Sequence, residues 1–308
     1  TKAPVTLQFW TSRPEDVSVY EEHILPVFRE AHPHIKIEMT GYPLANYFQA
    51  LNAALSAGEG PDIFYTNYAV EIIPYAKAGQ VMNLKGKIHV ENLDPAAVAG
   101  VGRDVDGSDA VYGVPVVSHV WTGWYNKGIL DQVGGELPTT FSGWIEMGKA
   151  LKEKRLAGFC HNGKEGYQIA WYWAGTLPTW LGEGGLQPYL NYEKPFTHPE
   201  HVAILEELKQ TVQIMQDGWA GTDYAGSRTL FATGQGLTYW AGTWEIGPLK
   251  TANPDLDFHP LMVFPKTKEQ KQRVLRGGGE VYQINAATTH PEEAVAFADW
   301  MTTVKFGT

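Results

Sequence analysis

The stretch VTLQFWTSRPEDVSVYEEHILPVFREAHPHIKIEM, residues 5–39, joined to PDIFY at residues 61–65, decides the fold. Val5, Leu7 and Phe9 alternate with Thr6 and Gln8, which predicts a half-buried strand running to Trp10. Val17, Tyr20, Ile24 and Phe28 then recur at helical spacing until His32-Pro33, with Pro26 expected to bend or shorten the helix. Ile35, Ile37 and Met39 give a second strand. Tyr47, Leu51, Ala54 and Leu55 form the next helical face, closed by Gly58, and Pro61 to Tyr65 reads as a short buried strand. The order is βαβαβ. Such alternation implies an α/β fold with a mainly parallel sheet, whose ligands bind beyond the carboxyl ends of the strands. Trp10 to Arg13 and Tyr65 to Tyr68 occupy those ends.

Farther along, residues 107–127 (GSDAVYGVPVVSHVWTGWYNK) hold a turn and two strand-like runs around Pro115, which suits a passage between lobes, with the first crossing near Val116. Thr197-His198-Pro199-Glu200 has the form of a capping box, and Val202, Leu205, Leu208, Val212 and Met215 predict one continuous apolar stripe behind it. Thr289-His290-Pro291-Glu292 repeats the device before Ala294, Phe297 and Ala298.

At 308 residues with 44% hydrophobic and 19% charged side chains, the chain has material for two domains, each with its own core. A net charge of −10 argues against nucleic acid, which needs a basic stripe to displace counterions from phosphates. Cys160 is the only cysteine, so no disulfide and no thiolate metal site is available within the chain. No apolar run approaches the ~18 residues of a membrane helix. Thr1 reads as a processed start, with any signal peptide or lipid anchor upstream.

Phosphate-loop, zincin and nucleophile-elbow signatures are missing. Asp104-Val105-Asp106-Gly107-Ser108-Asp109 has part of a calcium-loop pattern without its later glutamate, so a hairpin turn at Asp106-Gly107 is favoured and no metal or cofactor is expected. What stands out is aromatic content. Eleven tryptophans and fifteen tyrosines, many at strand ends or beside glycines, predict a cleft in which ring faces stack on sugar C–H faces. Trp171, Tyr172 and Trp173, read as alternating, put both tryptophans on one face and Tyr172 on the other. Trp180, Trp219 and Trp300 read as core. Glu165, Glu245 and Glu280 lie near aromatics or glycines, so a glycoside hydrolase with a carboxylate pair is the rival reading, and a binder of a non-sugar solute is another. About five strand–helix alternations, rather than the eight of a barrel, weigh against a barrel hydrolase.

Seven segments, in order, carry a resemblance: LQFWTS from Leu7, FREAHPHIKIEM from Phe28, LNAALSAGEGPDIFYTN from Leu51, YGVPVVSHVWTGWYNKGIL from Tyr112, LPTTFSGWIEM from Leu137, FATGQGLTYWAGTWEIGPL from Phe231 and LRGGGEVYQINAATTHPEEAVAFADWM from Leu275. In these the chain resembles the extracellular solute-binding proteins of carbohydrate ABC transporters, family 1, the maltose-binding-protein-like group. The resemblance implies a type II periplasmic-binding-protein-like fold of two hinge-linked α/β lobes, residues 1–115 with 262–290 and residues 116–261 with 291–308. It implies further helices after Thr308 in the family at large. It also implies a non-enzymatic monomer outside the cytoplasm, in the periplasm or lipid-anchored at the cell surface, that closes on a mono- or oligosaccharide and delivers it to permease subunits.

Carried over residue by residue, the resemblance implies sugar contacts at Trp10, Ser12 and Arg13 after the first strand and at Thr66, Asn67 and Tyr68 after the third. It implies others at His119, at the pair Glu165 and Tyr167, at Trp244 as a stacking ring, and at Gly278, Gly279 and Glu280 near the hinge. Tyr47, Trp171 and Trp173 complete the candidates, while Asp62 is expected to cap backbone N–H groups.

Overall fold

The computed structural model of the chain describes residues 2–67, 71–190 and 193–303. Among them the strands are β1 (Val5–Thr11), β2 (Ile35–Gly41), β3 (Ile63–Thr66), β4 (Val114–Pro115), β5 (Ser118–Trp121), β6 (Gly123–Asn126), β7 (Ala157–Cys160), β8 (Gly236–Trp240), β9 (Phe258–Leu261), β10 (Leu275–Gly278) and β11 (Val281–Ile284). They form three separate sheets, with no closed eight-unit barrel. The chain divides into two compact units, Thr1–Ser118 with Gly277–Thr308, and His119–Arg276. β5 and β10, where the chain passes from one unit to the other, pair as a two-stranded ribbon.

In the first unit the sheet order is β2-β1-β3-β11-β4. β1 runs parallel to both neighbours, with Phe9 in register with Met39 and Ile63, as the opening alternation predicts. β11 returns antiparallel to β3 and β4, so the sheet is mixed. Leu7, Phe9 and Thr11 are buried, and Phe9 meets Tyr282 edge-on at 4.7 Å. The bend expected at Pro26 takes the form of a π turn, Tyr20–Ile24, between helices Pro14–Val19 and Leu25–Ala31. Pro26 thereby falls in the first turn of the second helix, where a missing N–H costs nothing. Asp62 accepts the Gln8 backbone N–H at 2.8 Å and the Thr288 hydroxyl, tying β1 to the turn after β11.

The unit boundaries differ from the expected ones at three places. The first passage falls after Ser118 rather than Pro115, residues 262–276 belong to the second unit, and the last helix, Pro291–Trp300, belongs to the first. The physical reason is the stripe Ala294, Phe297 and Ala298, all fully buried, which the short turn after β11 keeps over the same sheet, with Phe297 against Phe28 at 4.9 Å.

A second correction concerns Asp106-Gly107. The segment is the end of a short helix, Arg103–Asp106, capped by Gly107 in the left-handed region at φ 77°, rather than a hairpin. Asp106 accepts from the Ser108 N–H and the Tyr112 hydroxyl, and Asp109 pairs with Lys85. Among the described residues no group of three or more His, Cys, Asp or Glu could hold a metal ion.

The second unit has sheet order β7-β8-β6-β9, with β7 and β8 parallel and β6 antiparallel to β8 and β9. The parallel share across these two sheets is smaller than the opening alternation suggests, because β11 in one and β6 in the other run antiparallel to both of their neighbours. Helix Phe141–Glu153 begins at Thr140, whose hydroxyl accepts the Gly143 N–H at 3.3 Å, and sends Trp144 onto Phe159 and Phe264. Trp180 lies in this core with its indole N–H donating to the Phe264 carbonyl at 3.0 Å, Trp219 packs half-buried against it, and Trp300 is buried in the first unit.

The expected stripe over residues 202–215 breaks. The α-helix is Pro199–Leu208, and the face it buries runs through His201, Ile204 and Leu208, which turns Val202 and Leu205 to solvent; the 3-10 run Lys209–Ile214 then follows a different period and leaves Val212 exposed as well. Thr197 and Thr289 do not cap either: His198 and His290 hold the cap positions, without side-chain bonds. Among the described residues no helix is long and apolar enough to cross a membrane.

At the end of β7, His161 is buried with its ring stacked on Phe159 at 4.8 Å. Burial pushes its pKa down from 6.5 to about 3. The unfolded chain takes up this proton as pH falls below the ordinary value and the native one does not, so stability is complete above that value and drains toward the depressed one. Denaturant titrations should show His161 contributing a slope of roughly 1.4 kcal/mol per pH unit within that window, which His161→Gln removes. Parallel stability–pH curves for the two proteins would refute this.

Candidate functional site

In the first unit the strand-end residues fall into place in two groups. Trp10 lies half-buried against Tyr42, ring centroids 4.9 Å apart. Ser12 is buried, and Arg13 bridges Asp16 at 2.6 Å and Glu280 at 3.0 Å. Burial alone would favour loss of the Arg13 proton, but the bond to Asp16 and the charge of Glu280 outweigh it and hold the guanidinium more firmly protonated than usual. At the end of β3, Asn67 accepts from the Tyr65 hydroxyl at 2.6 Å and donates to Glu71 from its backbone N–H at 2.7 Å and its amide at 2.8 Å. Thr66 is wholly buried. Tyr68 lies outside the described residues.

Three candidates, Tyr47, Gly278 and Gly279, are taken up by bonds and strand ends within the unit. Tyr47 has no exposed surface; its hydroxyl accepts the Tyr65 N–H at 3.0 Å and lies 2.8 Å from the Tyr65 carbonyl and 3.2 Å from that of Trp10, clamping β1 to β3. A phenol so engaged has nothing left for a ligand. Gly279 spends its N–H on the Val117 carbonyl at 2.9 Å, and the carbonyl of Glu280 accepts from Val116 at 3.0 Å, so this segment, with Gly278 closing β10, joins strands by backbone bonds.

The second unit holds the aromatic concentration. Helix Tyr167–Trp180 replaces the expected alternation, and its 100° step sends Trp171 and Trp173 to opposite faces. Trp173 packs with Phe196 and His201, Tyr172 enters the core against Trp240, and Trp171 joins Tyr167, one turn earlier, at 4.8 Å. Trp171 meets Trp244 edge-on at 5.2 Å. Trp244 also meets His119 at 5.2 Å and Trp121 at 5.8 Å, both edge-on, as β5 presents those alternate residues to one side. All five rings are half-buried, so each keeps an accessible portion. Edge-to-face contacts of this kind satisfy the ring quadrupoles and hold the planes at steep angles to one another.

Backbone shape makes room for Trp244. A Cβ built on Gly242 would lie 2.1 Å from Trp244 Cζ3 and 2.3 Å from Cη2, so only glycine lets the indole fold back over the chain. Below it, Glu245 is fully buried and takes two bonds from Arg228, at 2.7 and 2.9 Å, and one from the Tyr224 hydroxyl at 2.5 Å. Glu165 accepts from the Asn162 amide at 2.9 Å and the Tyr224 N–H at 3.1 Å, so it ties the loop after β7 to helix Tyr224–Ala232. Burial, with the charge of Glu165 second, pushes the Tyr167 phenol up to about 12 and keeps it a neutral donor.

Trp121, Tyr224 and Arg228 were not singled out from sequence. Trp121 follows His119 by two on a strand-like run, and Tyr224 and Arg228 stand four apart behind the capping Asp223, signals that become specific only once Trp244 is seen between them. The rival carboxylate pair fares poorly: Glu245 and Glu280 are both buried and salt-bridged.

Comparison with known proteins agrees with this architecture. The family model for bacterial extracellular solute-binding proteins matches residues 10–306. The multiple sugar-binding protein of Streptococcus mutans is 24% identical over 98% of this chain and 72% of its own length. The maltotriose-binding protein of Pyrococcus abyssi is 28% identical over 82% of this chain, which spans only 53% of that relative. A solved structure from work on xylan utilization by Caldanaerobius polysaccharolyticus superimposes with a TM-score of 0.82 at 22% identity, over 97% of this chain and 78% of its own. With mixed α/β sheets in two units and a family model matched over nearly its whole length, the chain belongs to the bacterial extracellular solute-binding proteins and has their type II periplasmic-binding fold.

Proposed function

We propose that this chain is the substrate-binding component of an ABC importer and captures a mono- or oligosaccharide without transforming it. The observation that carries the reading is the corner of Trp121, Tyr167, Trp171 and Trp244 beside His119, all half-buried and set at steep angles. Ring faces offer apolar area to sugar C–H groups, and His119 and Tyr167 offer polar edges to hydroxyls. The sugar-binding relatives in Streptococcus mutans and Pyrococcus abyssi support the same ligand class.

Charge favours a neutral solute. Arg13 and Arg228, the guanidiniums beside the two candidate groups, are each neutralised by buried carboxylates, which disfavours an anionic solute. The strand-end residues Trp10, Ser12, Arg13 and Asn67 are proposed as a further group of contacts within the first unit, whereas Thr66 is wholly buried. A ligand that binds one conformer better than another shifts the population toward it by that differential affinity, which is how a permease could distinguish loaded from empty receptor in this role. An extracytoplasmic location and permease partners follow from that role.

A thermal-shift screen across mono- and oligosaccharides tests the proposal, because a ligand that binds only the native state raises apparent stability. Trp244→Ala is expected to weaken the best sugar by about 1.5–3 kcal/mol, about 10- to 150-fold in Kd, with the fold retained. Unchanged affinity by calorimetry removes Trp244 from the site. Gly242→Ala should displace the indole, altering near-ultraviolet circular dichroism and weakening the same sugar; wild-type spectrum and affinity together would contradict the packing argument.

A further inference from the structure

The Trp244 indole is the outer end of a chain of hydrogen bonds that terminates on a buried charge. Its Nε1–H donates to the Tyr224 hydroxyl at 2.7 Å, and that hydroxyl donates to Glu245 Oε1 at 2.5 Å. Arg228 closes the chain with Nε on Oε2 at 2.7 Å and a terminal nitrogen on Oε1 at 2.9 Å, its guanidinium lying over the Tyr224 ring at 5.2 Å. Glu245 has no exposed surface, so its charge is satisfied entirely by these donors.

We infer that Tyr224 is a positioning residue for saccharide binding: by holding the only side-chain N–H of Trp244, it fixes the ring plane and reserves the indole face, rather than its edge, for the ligand. The inference rests on the reading of Trp244 as a sugar-contacting ring. An indole has one donor and no acceptor. Once that donor is spent inward, a rotation presenting N–H to a sugar hydroxyl would break a bond within a charge-anchored network, which low polarity makes costly. The edge contacts from Trp171 and His119 brace the same plane. The ligand chemistry that uses such a surface is a pyranose ring, whose C–H groups form a flat apolar patch. Acyclic polyols present no such patch.

The test uses the whole chain and two independent readouts. In ligand-free protein carrying ¹⁵N-labelled tryptophan, the Trp244 indole resonance is identified by its loss in Trp244→Phe. Tyr224→Phe is expected to move that resonance upfield and speed its hydrogen exchange. Calorimetry with maltotriose, raffinose and galactose should then show Tyr224→Phe weakening whichever binds by about three- to tenfold, and adding nothing to the loss in the Trp244→Phe background. Should Tyr224→Phe fail to fold, Tyr224→Leu, which likewise removes the acceptor of the Trp244 N–H, carries the same test. An unmoved Trp244 resonance, or a Tyr224→Phe loss that persists without Trp244, overturns the positioning role. Binding of none of the three sugars, or full affinity in Trp244→Phe, overturns instead the sugar reading beneath it.

Discussion

A carboxylate withdrawn wholly from water must be neutralised where it stands, and the second unit's aromatic corner is organised around that requirement at Glu245. Arg228 and Tyr224 both come from helix Tyr224–Ala232, one turn apart, and both converge on the carboxylate from the same side. Because Tyr224 then accepts from Trp244, the electrostatic demand in the interior becomes a constraint on a ring at the surface. Trp171 and His119 complete the bracing through ring edges. The corner is thus rigid for reasons unrelated to any ligand, and rigidity before binding limits the entropy lost on binding.

The first unit solves a comparable problem with different groups. Tyr47 uses its hydroxyl to hold β1 and β3 together at their carboxyl ends, and Asp62 ties β1 to the turn after β11. The loops that follow those strands carry Ser12, Arg13 and Asn67, so the frame beneath them is braced by buried polar bonds. Arg13 is held by Glu15 and Asp16, its near neighbours in sequence, and by Glu280 from a distant part of it. In both units an arginine beside the candidate residues serves a carboxylate already present, which leaves neutral donors, acceptors and ring faces as the chemistry on offer.

Local periodicity served well where one period governed a segment. Strands β1 and β2 and the helix Leu44–Ser56 match their apolar spacing because each buries one face, and β3, read as a short buried run, is buried on both. It misled where the period changed or was taken wrongly. Trp171 and Trp173 separate because their segment is helical, Val202 and Leu205 end at the surface because their helix buries the face of His201, Ile204 and Leu208, and Val212 does so in a 3-10 run with its own period. Gly107 supports a left-handed residue equally well in a hairpin or at a helix end, and the dipeptide alone does not distinguish them.

Sequence by itself determined the α/β class, the opening βαβαβ unit, the absence of a nucleic-acid-binding charge pattern and, through seven ordered segments, the family. These depend on composition and on residues near one another along the chain, where spacing maps directly onto geometry. Only the tertiary structure decided that Tyr47 is a clamp and that Pro291–Trp300 returns to the first unit. It also decided that Trp121, Tyr167, Trp171 and Trp244 form one corner over Tyr224, Glu245 and Arg228. The reason is physical: a ring's exposure and a carboxylate's partners depend on which distant elements share its surroundings, and those distances are set by packing rather than by separation along the chain.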